Sequence, residues 1–325
     1  MSHQNLASRG VLAVLIAVGS LAVVPVAGQA QSTAAKAKTA PRTPDGHPDL
    51  QGIWNYATMV PFERPSEFAG KQVLTNDEAA EFEGLVRRRL EEGNFTLTMP
   101  SGTYNLFWRD PGKMSTRTSL IVDPPDGRVP LTPEGQQRAA PAGRSFDSHE
   151  DRPLSERCIL WATAGPPMLP GPYNSIVQLF QTPGYVVMLN EMIHEHRIVP
   201  LDGRPHLGDH IRQWMGDSRG RWEDDTLVIE TTNFTDRTNF RGASDQMRLV
   251  ERFSRVDADT LLYEFTVNDP TSFTRPWTAQ VSMAKSDELI YEYACHEGNY
   301  AMTNGLAGAR NLEKAVEEAA KKGPK

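Results

Sequence analysis

The sequence carries none of the short signatures that identify common enzyme classes. It has no Gly-x-Ser-x-Gly nucleophile elbow, no phosphate-binding loop, no dinucleotide fingerprint and no His-Glu-x-x-His helix. After residue 26 no apolar run approaches the length needed to span a bilayer. Charge of one sign is also missing: 34 Lys and Arg stand against 41 Asp and Glu, a net charge of −7. A mildly acidic, well-mixed surface argues against nucleic acid or anionic lipid as partner. Cysteine is scarce, with only Cys158 and Cys295, and none near residue 30, which excludes a lipid anchor there.

The amino terminus reads as an export signal. Arg9 precedes the apolar run Val11–Val26, and Gly28-Gln29-Ala30 offers small residues for cleavage after Ala30. A retained membrane anchor is the alternative, but Gly19, Ser20 and Pro25 interrupt a run that is already short. Residues 1–30 are therefore expected to be a signal peptide, with the protein periplasmic or secreted and free of the membrane once trimmed. In that compartment an isolated cysteine pair predicts a Cys158–Cys295 disulfide. Two buried thiols, or a reactive one within Cys295-His296-Glu297, are the other readings. Gln31–Arg42 is rich in Ala, Lys, Thr and Pro without a period and reads as a flexible linker.

From residue 43 the pattern is that of strands, and 43–300 is expected to fold as one domain. The runs Tyr104–Trp108, Thr118–Val122, Asn174–Gln181, Tyr185–Val199, Trp222–Phe234, Met247–Val256, Thr260–Asn268, Trp277–Met283 and Leu289–His296 are β-branched and apolar. Pro183-Gly184 suits a hairpin turn, as do Asp257-Ala258-Asp259 and Lys285-Ser286-Asp287. Helices are few. Thr75 with Glu78 forms a capping box ahead of Ala79–Leu90, with an end at Gly93. Thr132-Pro133-Glu134 starts a short helix, and the tail 301–325 holds another at Asn311–Lys322. The Pro-rich run Gly165–Pro172 is expected to cover a barrel mouth. A succession of neighbouring antiparallel strands is best closed on itself, so the fold class expected is mainly β, a barrel of about eight to ten strands.

Residues able to carry chemistry fall into three groups. Strand alternation along Tyr185–Val199 puts Asn190, Met192, His194 and His196 on one face. Two histidines at i, i+2 with His296 or His206 would suit zinc or iron, although the Glu that follows the second His in cupins is missing. The plainer reading has no metal, with His194 held by a carboxylate. Glu230, Glu251 and Glu292 each share a face with apolar neighbours, so each needs a partner or a raised pKa. Arg197, Arg241, Arg252 and Arg255 are the candidate partners, and structural ion pairs the bland outcome. Finally, Asp209–Trp222 is rich in Trp and Arg, as a loop contacting a planar or sugar-like ligand would be.

Four long motifs carry a resemblance. They are Thr43-Pro-Asp-Gly-His-Pro-Asp-Leu-Gln-Gly-Ile-Trp54, Leu201-Asp-Gly-Arg-Pro-His206, Ile211-Arg-Gln-Trp-Met-Gly-Asp-Ser-Arg-Gly-Arg-Trp222 and Tyr291-Glu-Tyr-Ala-Cys-His-Glu-Gly-Asn-Tyr300. Through them nearly the whole chain beyond the linker resembles a large group of exported proteins of soil bacteria. That resemblance implies secretion and a β-rich fold, and it brings no catalytic residues. A looser likeness to calycin and lipocalin barrels rests on Gly52-Ile53-Trp54, repeated as Gly220-Arg221-Trp222, and on the strand succession.

The expected function is binding of a small organic molecule in a barrel cavity, followed by His/Glu acid–base catalysis of a lyase, isomerase or hydrolase type, with no organic cofactor. His194 is the expected base or acid, with Glu251 and His296 as its partners. Trp214, Arg241, Asn190 and Glu230 are the expected ligand contacts. A non-catalytic binder of an apolar or aromatic ligand and a cell-envelope interaction module are the alternatives.

Overall fold

The computed structural model describes residues 41–91, 109–140, 145–238 and 240–322. The proposed signal peptide, most of the linker, the run Tyr104–Trp108 and the helix end at Gly93 lie outside these residues. Ten strands form one antiparallel sheet among the described residues. They are β1 (Gly52–Asn55), β2 (Ile121–Asp123), β3 (Ile176–Thr182), β4 (Tyr185–Asn190), β5 (His196–Pro200), β6 (Asp217–Glu223), β7 (Thr226–Thr232), β8 (Arg248–Arg255), β9 (Thr260–Asn268) and β10 (Trp277–Ser286). Their order is β5-β4-β3-β1-β10-β9-β8-β7-β6, with β2 beside β10 as a short companion to β1. No ladder joins the two end strands, so the sheet is open and the expected full closure is not seen.

The sheet is nonetheless strongly curved. Arg197 on β5 bonds Glu251 on β8 at 2.5 Å. A flat sheet would hold these strands about 29 Å apart at the usual spacing. The end strands also approach each other: a Cβ added to Gly220 of β6 would lie 2.5 Å from Leu201, just past β5. The concave side is packed with aromatic side chains, among them Trp54, Tyr56, Phe253, Tyr263, Phe265 and Trp277, all fully buried. Each contributes about 1.5–3 kcal/mol or more by leaving water.

The run Gly165–Pro172 closes over this core. Met168 is fully buried, and its amide donates to the Tyr263 hydroxyl at 3.1 Å. The chain crosses here without regular structure, as its prolines require.

Three helices decorate the sheet: α1 (Asn76–Glu91), α2 (Pro133–Ala139) and α3 (Ala301–Lys322). The capping box is present, with the Glu78 amide donating to Thr75 Oγ1 at 3.2 Å and the Thr75 amide to Glu78 at 2.8 Å. Thr132 caps α2 by accepting from the Gly135 amide at 3.0 Å. α3 starts ten residues earlier than its sequence pattern indicates, and none of its residues is buried. No helix among the described residues is long and apolar enough to cross a membrane.

Four strand expectations need correction. Tyr185–Val199 is not one strand but the hairpin β4–β5, turning through Glu191–His194. Ile193 and His194 there take left-handed backbone angles, φ 52° and 53°, at a cost for a β-branched residue of about 1–3 kcal/mol. Burial of Met192 and Glu191 at the turn holds it in place. The segment before Trp222 is a strand too, since Asp217–Glu223 pairs with Thr226–Thr232 across Asp224-Asp225. Leu289–His296 forms no strand, because β9 occupies one edge of β10 and β1 with β2 the other. The pairing residues near Thr118–Val122 are Ile121–Asp123, shifted by a bulge between Thr278 and Ala279.

Candidate functional site

The two end strands approach each other at Gly220. A cleft of about 550 Å³ opens between them, within the usual range for small-molecule sites. One wall is Glu195, His196, Arg197 and Ile198; the other runs from Arg212 through Trp214 to Arg219, and Ile159 adds a third.

Local chemistry fixes both walls. Asn233 follows β7 at φ 60° and spends its side-chain amide on the carbonyls of Leu207, Gly208 and Ile211, each at 3.1 Å. An Asn is well suited to this, because it tolerates the left-handed region while bonding backbone. The Gln213 amide donates to the Asn233 carbonyl at 2.9 Å, and Thr238 Oγ1 donates to the Trp214 carbonyl at 2.8 Å. Gly216 has φ 67°, and a Cβ there would sit 2.5 Å from the Thr232 carbonyl oxygen. Ile159 is tethered through its neighbour Cys158, which bonds Cys295 with Cα atoms 5.7 Å apart.

Asp217 is the most heavily engaged acid of the cleft. It is 7% exposed and accepts from His206 Nδ1 at 2.9 Å, the Leu207 amide at 3.0 Å and Arg219 Nη1 at 2.6 Å. Holding Nδ1–H toward a carboxylate fixes the imidazole tautomer and leaves Nε2 as the basic atom.

The structure disperses the expected trio. Glu251 is fully buried, with Oε2 2.5 Å from Arg197 Nη1 and Oε1 accepting from Arg197 Nη2 at 3.0 Å and the Tyr263 hydroxyl at 2.7 Å. Burial and the nearby Glu251 charge raise the Tyr263 phenol well above its ordinary value. His194 stands exposed on the β4–β5 turn, not in a strand bordering the core, and His296 is exposed on a turn beside Cys295. Neither is a partner of Glu251. Both nevertheless neighbour the cleft in sequence, His194 next to Glu195 and His296 across the disulfide from Ile159.

Of the expected ligand contacts, Trp214 lines the cleft. Asn190 is buried at the end of β4, its Nδ2 donating to the Ala164 carbonyl at 3.0 Å and its Oδ1 without a partner. Arg241 lies elsewhere, stacked 4.2 Å over the Phe62 ring. Glu230 pairs with Arg248 on the outer face. Glu292 is exposed beyond β10.

The i, i+2 face that grouped His194 with His196 does not exist once the strand is broken. Among the described residues, no three His, Cys, Asp or Glu side chains gather where they could hold a metal ion.

Sequence reasoning passed over Glu195, His196 as a cleft residue, Asp217 and Asn233. The available signals were an acid between two histidines and an Asn closing a strand. Comparison with family models, curated proteins and solved structures finds no match to this chain.

Proposed function

We propose that this is an exported protein that binds a small organic molecule at the seam of its curved sheet and acts on it by acid–base chemistry. The observation that carries this reading is the cleft, which gathers an aromatic ring, Trp214, with Arg212, Arg219, His196, Glu195 and Asp217. His196 and His206 stand in the roles expected of His194 and His296, with Glu195 and Asp217 as the carboxylates. The Cys158–Cys295 bridge supports an oxidising compartment. The strand order and the Arg197–Glu251 pair support a calycin-like barrel left open at one seam.

Glu251 is committed to Arg197 and Tyr263, so the carboxylates of this reading are Glu195 and Asp217. Native mass spectrometry of protein purified from its own host decides whether a ligand is held. The expected result is a co-purifying small molecule that Trp214→Ala releases while the circular dichroism spectrum stays unchanged. Retention of that molecule by the folded variant would remove the cleft as its site.

A further inference from the structure

We propose that the occupant of the cleft is a short peptide, bound extended as an additional strand between β5 and β6. The inference rests on the cleft being the binding site, and it concerns which backbone groups face into it.

The β4–β5 register decides this for β5. The Asn190 amide donates to the Glu195 carbonyl at 2.8 Å, and the Leu201 amide to the Gly184 carbonyl at 2.9 Å. In an antiparallel pair, hydrogen-bonded and non-bonded positions alternate. Residues 195, 197, 199 and 201 therefore point their backbone groups at β4, and His196, Ile198 and Pro200 point theirs into the seam. Pro200 has no N–H, as suits an outward edge position. The His196 amide is turned onto its own neighbour, Glu195 Oε1, at 3.2 Å. Ile198 is left presenting both a donor and an acceptor.

The same alternation applies to β6. The two-residue turn Asp224-Asp225 makes Glu223 and Thr226 a bonded pair. Arg221, Arg219 and Asp217 thus face β7, while Gly220 and Ser218 face the seam. The Ser218 carbonyl is taken by Arg219 Nη1 at 2.8 Å, and its amide remains. No ladder joins β5 to β6 along the seam.

Two unpaired edges that face each other across a cleft form a template for a strand, since an extended peptide bonds to both. The cleft is lined by residues 195–198 of one edge and 216–219 of the other. That length accommodates about three to four residues at about 3.3 Å each. Trp214 and Ile159 offer apolar surface to one side chain, and Arg212 offers positive charge to an acidic one. Contact at Gly220 stops the segment at the closed end.

The test uses the ¹⁵N-labelled protein and a panel of blocked tetrapeptides built from Val, Phe, Thr and Asp. At least one peptide is expected to shift and protect the Ile198 and Ser218 amides. Methylating its central backbone nitrogens should weaken binding tenfold or more. Ile198→Pro removes the outward donor of β5 without touching the β4 ladder, so it should fold normally and bind at least tenfold more weakly. Undiminished binding of the N-methylated peptide overturns the proposal, even if Ile198→Pro does not fold. Benzoate and indole-3-acetate form the non-peptide arm. If they shift Trp214 and no tetrapeptide shifts any seam amide, the peptide is wrong and the cleft stands. Silence to both sets removes the peptide and the cleft together.

Discussion

Arg197 and Glu251 form a doubly hydrogen-bonded ion pair, although five strands lie between theirs in the order of the sheet. The pair is the measure of the sheet's curvature, and it is sealed from water, with Glu251 fully buried. It continues through Tyr263 to the amide of Met168, so the sheet and its covering loop share one polar thread. Such a thread is costly to break, because whichever group remains is a buried charge without a partner.

Arg197→Met and Glu251→Leu are each expected to lower stability by about 3–5 kcal/mol, as breaking one side of a buried pair does. The double replacement Arg197→Met/Glu251→Leu should recover most of that loss. Guanidinium unfolding of the three variants checks it, and additive losses in the double variant would refute the pairing.

The bridge between Cys158 and Cys295 spans 137 residues of sequence. Replacing both with Ser is expected to cost about 2–5 kcal/mol, by relaxing the unfolded chain and freeing the wall that carries Ile159. Thiol titration of the denatured, unreduced protein should find none, and two would contradict the bridge.

Glu191 supplies a pH dependence. Burial raises its pKa above the ordinary carboxylate value, reinforced by Glu288 and only partly offset by the Tyr291 amide and Asn174. A raised folded-state pKa means that the folded protein holds this proton more tightly than the unfolded chain. The resulting stabilisation is present below the ordinary carboxylate range and disappears as pH rises through the folded value. Glu191→Gln should therefore melt higher than the parent at pH 7, and the gap should close toward pH 4. A gap that widens on acidification would show the sign to be wrong.

α3 contributes little to the core. Its Arg310 reaches the Asp147 carbonyl at 2.8 Å, but Leu312 and Val316 farther along are mostly exposed. Truncation after Arg310 is expected to change stability by no more than about 0.5 kcal/mol, as surface changes do. A larger loss in thermal unfolding would mean that the distal half packs on the domain.

Most of the sheet was legible because its strands alternate cleanly. β9 matches the expected Thr260–Asn268 to the residue, and the β3–β4 hairpin turns at Pro183-Gly184 as expected. The β4–β5 turn was not legible. It has no Gly, Pro or Asn inside it, and Ile193 sits in a conformation that its side chain disfavours. Missing that turn put His194 in a strand when it stands on a turn. Glu251 was legible as a buried acid, and Arg197 stood among its candidate partners. The choice between Arg197 and a histidine depended on curvature, which no local pattern carries. Trp214 lines the cleft, in the arginine-rich segment that the sequence singled out.

Gly220 marks the closed end of the seam. The strands approach there on a position with no side chain, outside the cleft. A methyl group added there would lie 2.5 Å from a Leu201 side-chain carbon and 3.0 Å from one of Val199, so those side chains must turn aside to admit it. A larger residue at position 220 therefore alters the packing at the closed end of the seam while leaving every side chain that lines the cleft as it is.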